Sequence, residues 1–206
     1  SSASPGLSCS RRMPIDLPTA FAVGQPLHDG GEQVVTGAGP FPWPALVFQD
    51  VDGVLNHDPE SGPLDATLFA NLGYVVHATG AALVISSSWR KSAAALRFLL
   101  DGLQRYAGIP AERILGVTPS LCDGVECRAA EIAGWLRAHP QVAAKARWAA
   151  IDDQDIQAQS PALFRGHFVR TDPTLGLTRE RARQAVQLLL PAHWEGQRAV
   201  AAFQFL

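Results

Sequence analysis

Three short apolar runs, each released into a polar or acidic residue, constrain this chain more than any other feature. They are Ala45–Phe48 before Gln49 and Asp50, Ala82–Ile85 before Ser86, and Trp148–Ile151 before Asp152 and Asp153. Runs this short and this uniformly apolar suit strands covered on both faces, as in a parallel sheet. Ile114–Val117 and 167–169 read as two further strands. Between the runs the apolar spacing becomes helical. Leu68, Leu72, Val75 and Val76 mark a helix from Asp65 to about Thr79, with Gly80 as its stop. Leu96, Leu99, Leu100 and Leu103 mark a second helix, and Ala129, Ile132 and Leu136 a third that stops near Pro140. A last helix has Thr178 as N-cap, Glu180 in its first turn, and Ala182, Ala185, Val186 and Leu189 on one face. Strand and helix alternate without an internal repeat, which predicts a parallel sheet with helices on both faces. Ligands of such sheets bind beyond the carboxyl ends of the strands. Asp50, Asp52, Asp152 and Asp153 all fall there.

The chain has 206 residues, 47% of them hydrophobic, enough for one α/β domain with a sizeable core. We place that domain at residues 43–206. Residues 1–42 are rich in Ser, Gly and Pro, carry no sustained periodicity, and read as an irregular N-terminal arm. A net charge of −2 excludes the global basic field of a dedicated nucleic-acid or membrane binder, though not a local basic patch. No run of 18 apolar residues and no basic-then-apolar leader is present. These features lead us to expect a cytoplasmic protein with no membrane partner. The cysteines are Cys9, Cys122 and Cys127, an odd and sparse set that argues against a disulfide framework. Cys122 and Cys127 lack a second Cys/His pair at ligand spacing, so they read as two thiols rather than half a metal site.

Chemistry concentrates first in Asp50-Val51-Asp52-Gly53-Val54-Leu55-Asn56. Carboxylates at i and i+2 on an extended segment point to the same side, and Gly53 permits a sharp turn. A calcium loop begun at Asp50 would need Gly at its sixth position and Glu at its twelfth. Leu55 and Ser61 stand there instead. A buried strand aimed at two carboxylates is costly unless a cation accompanies them.

Asp50-Val51-Asp52-Gly53-Val54-Leu55 resembles the first signature motif of the haloacid dehalogenase (HAD) superfamily. The resemblance implies a Rossmann-like three-layer sandwich around a central parallel sheet. It also implies that Asp50 is a nucleophile forming an aspartyl-phosphate and Asp52 the general acid/base. An anionic nucleophile that attacks an anionic phosphate needs a cation, which implies Mg²⁺. Ser86, or next Ser87, resembles the second-motif hydroxyl that hydrogen-bonds a phosphoryl oxygen. Arg90 either contacts substrate or caps a helix, and Trp89 reads as packing before base stacking. Arg128 at a helix start resembles the third-motif cation near the phosphate. Trp148–Ile151 with Asp152 and Asp153 resembles the fourth motif, so Asp50, Asp52, Asp152 and Asp153 form the implied metal set, with Asp155 a weaker addition.

The segment His167-Phe168-Val169-Arg170-Thr171-Asp172-Pro173, with Gly176-Leu177-Thr178 after it, is similar to a small HAD subgroup, some of whose domains accompany RNA-repair proteins. The implied activity is Mg²⁺-dependent phosphomonoester hydrolysis on a phosphorylated nucleic-acid end or a nucleotide. Phosphotransfer to another acceptor and a catalytically silent binding or regulatory module are the alternatives. Only 33 residues separate Asp52 from Ser86 and 65 separate Ser86 from Asp152. One helix fills much of the first gap, and two helices and a strand much of the second. Neither leaves room for a folded cap domain, so we expect a minimal cap or none.

Overall fold

The computed structural model describes residues 44–57, 64–122 and 127–191. The arm expected over 1–42 lies outside them. Within them the chain builds one five-stranded sheet in the order β3-β2-β1-β4-β5, from β1 (Ala45–Gln49), β2 (Ala82–Ile85), β3 (Ile114–Val117), β4 (Arg147–Asp152) and β5 (Phe168–Arg170). Every pairing is parallel. The α/β class expected from the apolar runs therefore holds. The order explains why β1 is apolar at every residue up to Gln49: it lies in the middle, flanked by β2 and β4, and is buried throughout.

The helices are α1 (Ala66–Thr79), α2 (Ala93–Ala107), α3 (Arg128–Ala138), α4 (Pro140–Ala143), α5 (Ile156–Gln159), α6 (Pro161–Phe164) and α7 (Arg179–Leu189). Single 3₁₀ turns stand at Ser88–Lys91 and Ala111–Arg113. On one side α1 packs against both α2 and α7, and α7 reaches β4 and β5. Across the sheet, Leu46, Phe48 and Trp148 join Ile132, Trp135 and Phe164 in one core cluster. Phe48 sets its ring edge-on to Trp135 and Trp148, with centroids 5.4 and 5.7 Å apart, in the range where aromatic pairs add to simple burial.

Helix ends follow the chemistry of their residues. The Asp65 carboxylate accepts from Thr67 N at 2.6 Å and Leu68 N at 3.3 Å, satisfying two donors that the first turn of α1 leaves open. Gly80 closes α1 in the left-handed conformation, its N–H donating to Val76 O. Thr178 caps α7 through Arg181 N, and Ala182, Ala185, Val186 and Leu189 are all buried, the face the spacing predicts. Strand limits differ slightly: β4 runs on through Asp152, and β5 begins one residue later than expected. The chain also resumes at Pro140 with the short α4 instead of ending there.

Two expectations meet the structure differently. Among the described residues, the stretch from Asp52 to Ser86 contains α1 and no inserted domain, and the stretch from Ser86 to Asp152 only α2, β3, α3, α4 and the two turns. The reading of two free thiols is corrected: Cys122 and Cys127 form a disulfide, with Cα atoms 6.1 Å apart. That separation is within ordinary disulfide reach, and a count of three cysteines cannot reveal a pair that close. No helix of the described residues is long and apolar enough to cross a membrane.

Candidate active site

β1 and β4 are neighbours, and each ends in a carboxylate. Parallel pairing brings Gln49 level with Ile151, so Asp50 and Asp152 leave the sheet side by side at its carboxyl edge. The strand order reverses at this place, since the chain has crossed from β3 on one side of β1 to β4 on the other. One oxygen from each of Asp50, Asp152 and Asp153 lies within 4.8 Å of the others. Asp50 is 2% exposed and Asp152 1%.

Arg128, the first residue of α3, faces this group. Its Nη1 lies 2.9 Å from Asp50 Oδ1 and 2.9 Å from Asp152 Oδ2, and it also donates to Ser86 O. A guanidinium that close ordinarily lowers a carboxyl pKa. Here burial outweighs it: Asp50 is pushed up, and Asp152 is pushed well above the usual carboxylate range. Asp153 is raised as well, chiefly by partial burial. Three converging carboxylates against one guanidinium leave an excess of negative charge in a poorly solvated place. A hard cation with oxygen ligands fits that donor set.

Ser86 follows β2 on the same edge. Its hydroxyl is buried and has no hydrogen-bond partner, the state of a group suited to an acceptor or donor from outside the chain. Ser87 acts locally instead. Its Oγ accepts from Trp89 N at 3.4 Å and caps the 3₁₀ turn.

The remaining expected residues divide. The Asp52 carboxylate does not join the Asp50, Asp152 and Asp153 group. It accepts from Asn56 Nδ2 at 2.9 Å and from Trp89 Nε1 at 2.9 and 3.0 Å. Arg90 is committed within the protein: it pairs with Glu131 at 2.7 Å, both side chains nearly sealed from solvent, and donates to the carbonyls of Ser87, Thr118 and Pro119. Asp155 caps α5 and pairs with Arg170 at 3.1 Å, on the surface. Trp89 and Glu131 are the contributors that residue spacing missed. Trp89 stands three residues after Ser86, and Glu131 one helical turn after Arg128, but nothing local distinguishes an indole that bonds from one that packs.

The loop from Asp50 to Asn56 is held from a distance. Gly53 has φ +68°, and a Cβ on it would lie 2.8 Å from Asp153 Cγ, so a side chain there would collide with the carboxylate that follows β4. Gly53 N donates to Asn56 Oδ1 at 2.9 Å. Thr171 Oγ1 donates to Gly53 O at 2.9 Å, and Leu177 N to Val54 O at 2.8 Å. Gly176, at φ +62°, lets the chain pass so close that a Cβ would sit 2.9 Å from Val54 O. The segment after β5 is therefore a clamp on the acidic loop.

No curated protein and no solved structure matches this chain. A family model described as the HAD domain in Swiss Army Knife RNA repair proteins matches residues 46–182, the span from β1 into α7. All the residues gathered above lie inside that span, which covers well over half of the sequence, and the chain belongs to this HAD domain family.

Proposed function

We propose that the protein is a Mg²⁺-dependent phosphomonoester hydrolase with Asp50 as its nucleophile, acting on phosphorylated nucleic-acid ends or nucleotides. One observation carries the reading: Asp50, Asp152 and Asp153 converge beside Arg128 and an unpartnered, buried Ser86 hydroxyl. Asp50, Asp152 and Asp153 would hold the Mg²⁺, which supplies charge neutralisation between carboxylate and phosphate.

The roles of the chain's own groups follow. Arg128 orients Asp50 by holding Oδ1 at 2.9 Å, and its charge favours an incoming phosphoryl group. Ser86 Oγ binds a phosphoryl oxygen. Asp50 Oδ attacks phosphorus while the ester P–O bond breaks, and Asp52 gives its proton to the departing oxygen. In the second half, the Asp52 carboxylate takes a proton from water, whose oxygen displaces Asp50 from phosphorus. The preference for a nucleic-acid-related substrate draws on the RNA-repair proteins named in the family description. A site without an inserted cap also draws binding energy from groups beyond the phosphate.

The test is phosphate release in Mg²⁺ from 5′- and 3′-phosphorylated oligonucleotides, nucleotides and small sugar phosphates, with acceptor alcohols added in parallel. We expect release, abolished by chelator, with the highest kcat/KM on an oligonucleotide or nucleotide. A clear preference for sugar phosphates would refute the substrate class, and transfer to the alcohols in place of release would reassign the reaction.

A further inference from the structure

Asp50 and Asp52 leave the same strand two residues apart, yet their surroundings differ in kind. Asp50 meets a cation and two other carboxylates. Asp52 meets two neutral donors, neither of which titrates near neutral pH. The indole N–H of Trp89 reaches both Asp52 oxygens, at 2.9 and 3.0 Å, across 37 residues of sequence. The Asn56 amide reaches Oδ1 at 2.9 Å, while its own oxygen is fixed by Gly53 N.

Trp89 is itself held. Its backbone N–H is capped by Ser87 Oγ, and its carbonyl accepts from Ser92 N at 3.2 Å. Arg90, beside it, is locked by the buried pair with Glu131. The Phe98 ring lies at 22° to the indole, centroids 6.4 Å apart. The indole is thus set by the turn after β2, and Asp52 by the indole. Without it, Asp52 could rotate toward the excess of carboxylate ligands around Asp50 and act as one more of them.

We propose that Trp89 is a positioning residue: its indole N–H holds the Asp52 carboxyl on the leaving-group side of the site and apart from the Asp50, Asp152 and Asp153 group. The proposal rests on the phosphatase reading above. It predicts a dependence on the leaving group. An unactivated alkoxide must receive a proton as the P–O bond breaks, whereas p-nitrophenolate leaves without one. Misplacing Asp52 therefore harms release of the first leaving group and spares release of the second, while the later hydrolysis, in which Asp52 is the base, is common to both.

The experiment compares wild type, Trp89→Phe and Phe98→Ala on a nucleoside 5′-monophosphate and on p-nitrophenyl phosphate, in Mg²⁺. Trp89→Phe keeps a ring and removes the N–H. In single-turnover release of the leaving group, which stops at the phospho-Asp50, it should lower the rate on the nucleotide by about ten- to a hundredfold, with half-saturation and the p-nitrophenyl phosphate rate nearly unchanged. Phe98→Ala, which removes one ring beside the indole and leaves the N–H in place, should shift the ratio between the two substrates less than Trp89→Phe does. Equal losses on both substrates would overturn the proposal. So would a raised half-saturation concentration for the nucleotide at an unchanged single-turnover rate, which would assign the ring to base stacking instead. If wild type hydrolyses neither of these nor a phosphorylated oligonucleotide, the phosphatase reading fails and this proposal with it; if it hydrolyses the oligonucleotide alone, that takes the nucleotide's place in the comparison. If wild type hydrolyses both and Trp89→Phe shows no difference between them, only the positioning role fails. A second measurement needs no Trp89 variant: the Trp89 indole ¹⁵N–¹H resonance of the wild type should move on Asp52→Asn, and an unmoved resonance would count against the hydrogen bond.

Discussion

The carboxyl edge of β1 and β4 and the helical layer formed by α1 and α7 follow opposite rules. In the layer, every local preference agrees with the fold: Asp65 and Thr178 cap their helices, Gly80 ends one, and the apolar faces are buried. At the edge, three carboxylates crowd one guanidinium, burial pushes all three toward protonation, and a buried hydroxyl has no partner. The layer is arranged for stability. The edge keeps interactions unsatisfied, and such places in a folded chain are where function is expected.

The contrast can be broken by substitution, and the largest effect belongs to the edge. Asp50→Asn should reduce turnover by about 10³-fold or more, the scale of losing a covalent nucleophile, while the melting temperature holds or rises. Near-native phosphate release from this variant would remove the mechanism. Next comes a change in the layer with the opposite signature. Leu72 is fully buried in α1, and Leu72→Ala should cost about 2–5 kcal/mol in denaturant unfolding with little change in kcat for the protein that remains folded.

A third change sharpens the comparison by separating charge from fold. Asp152→Asn should raise the Mg²⁺ concentration for half-activity by at least about tenfold. In chelator it should leave the fold as stable as wild type or more so, because a buried carboxyl with raised pKa favours its neutral form in the folded state. The sign follows: without metal, that carboxyl costs stability above its unfolded pKa, and the cost is relieved as pH falls. Unfolding of both proteins in chelator from pH 8 to pH 5 would check this, since only wild type should gain from Asp152 on acidification.

The smallest effect is at Asp65, where the hydrogen bonds from His57, Thr67 and Leu68 outweigh slight burial and hold the carboxyl below its usual value. Asp65→Ala should cost about 1 kcal/mol. In wild type this contribution is present above the unfolded pKa and fades as pH falls through the folded one. An unchanged unfolding midpoint would show that the cap adds nothing.

The layer was also the easier region to read. Apolar runs and helical spacing depend on neighbours within a few residues, so the strands and α1 are visible in the sequence nearly to the residue, and α2 and α7 by their apolar faces. The carboxylates at the edge are legible for a related reason: they follow buried strands, and parallel order brings such ends together. The pairings that finish the site are not local. Trp89 with Asp52, Arg90 with Glu131 and Thr171 with Gly53 join residues 37, 41 and 118 positions apart, and side chains that meet only in three dimensions leave no period. The disulfide between Cys122 and Cys127 escaped for a different reason, since counting cysteines weighs frameworks and overlooks a single short link.

The clamp from Thr171 to Leu177 sets an order of events during biosynthesis. β1 and its acidic loop emerge first, but the hydroxyl and amide that fix Gly53 and Val54 belong to the last strand–helix connection among the described residues. A nascent chain halted before that connection carries β1 through β5 but lacks both anchors of the loop. Closing a contact over more than a hundred residues is also among the slow steps of folding. The ribosome must therefore deliver the chain through Leu177 before both anchors of the Asp50–Asn56 loop are in place.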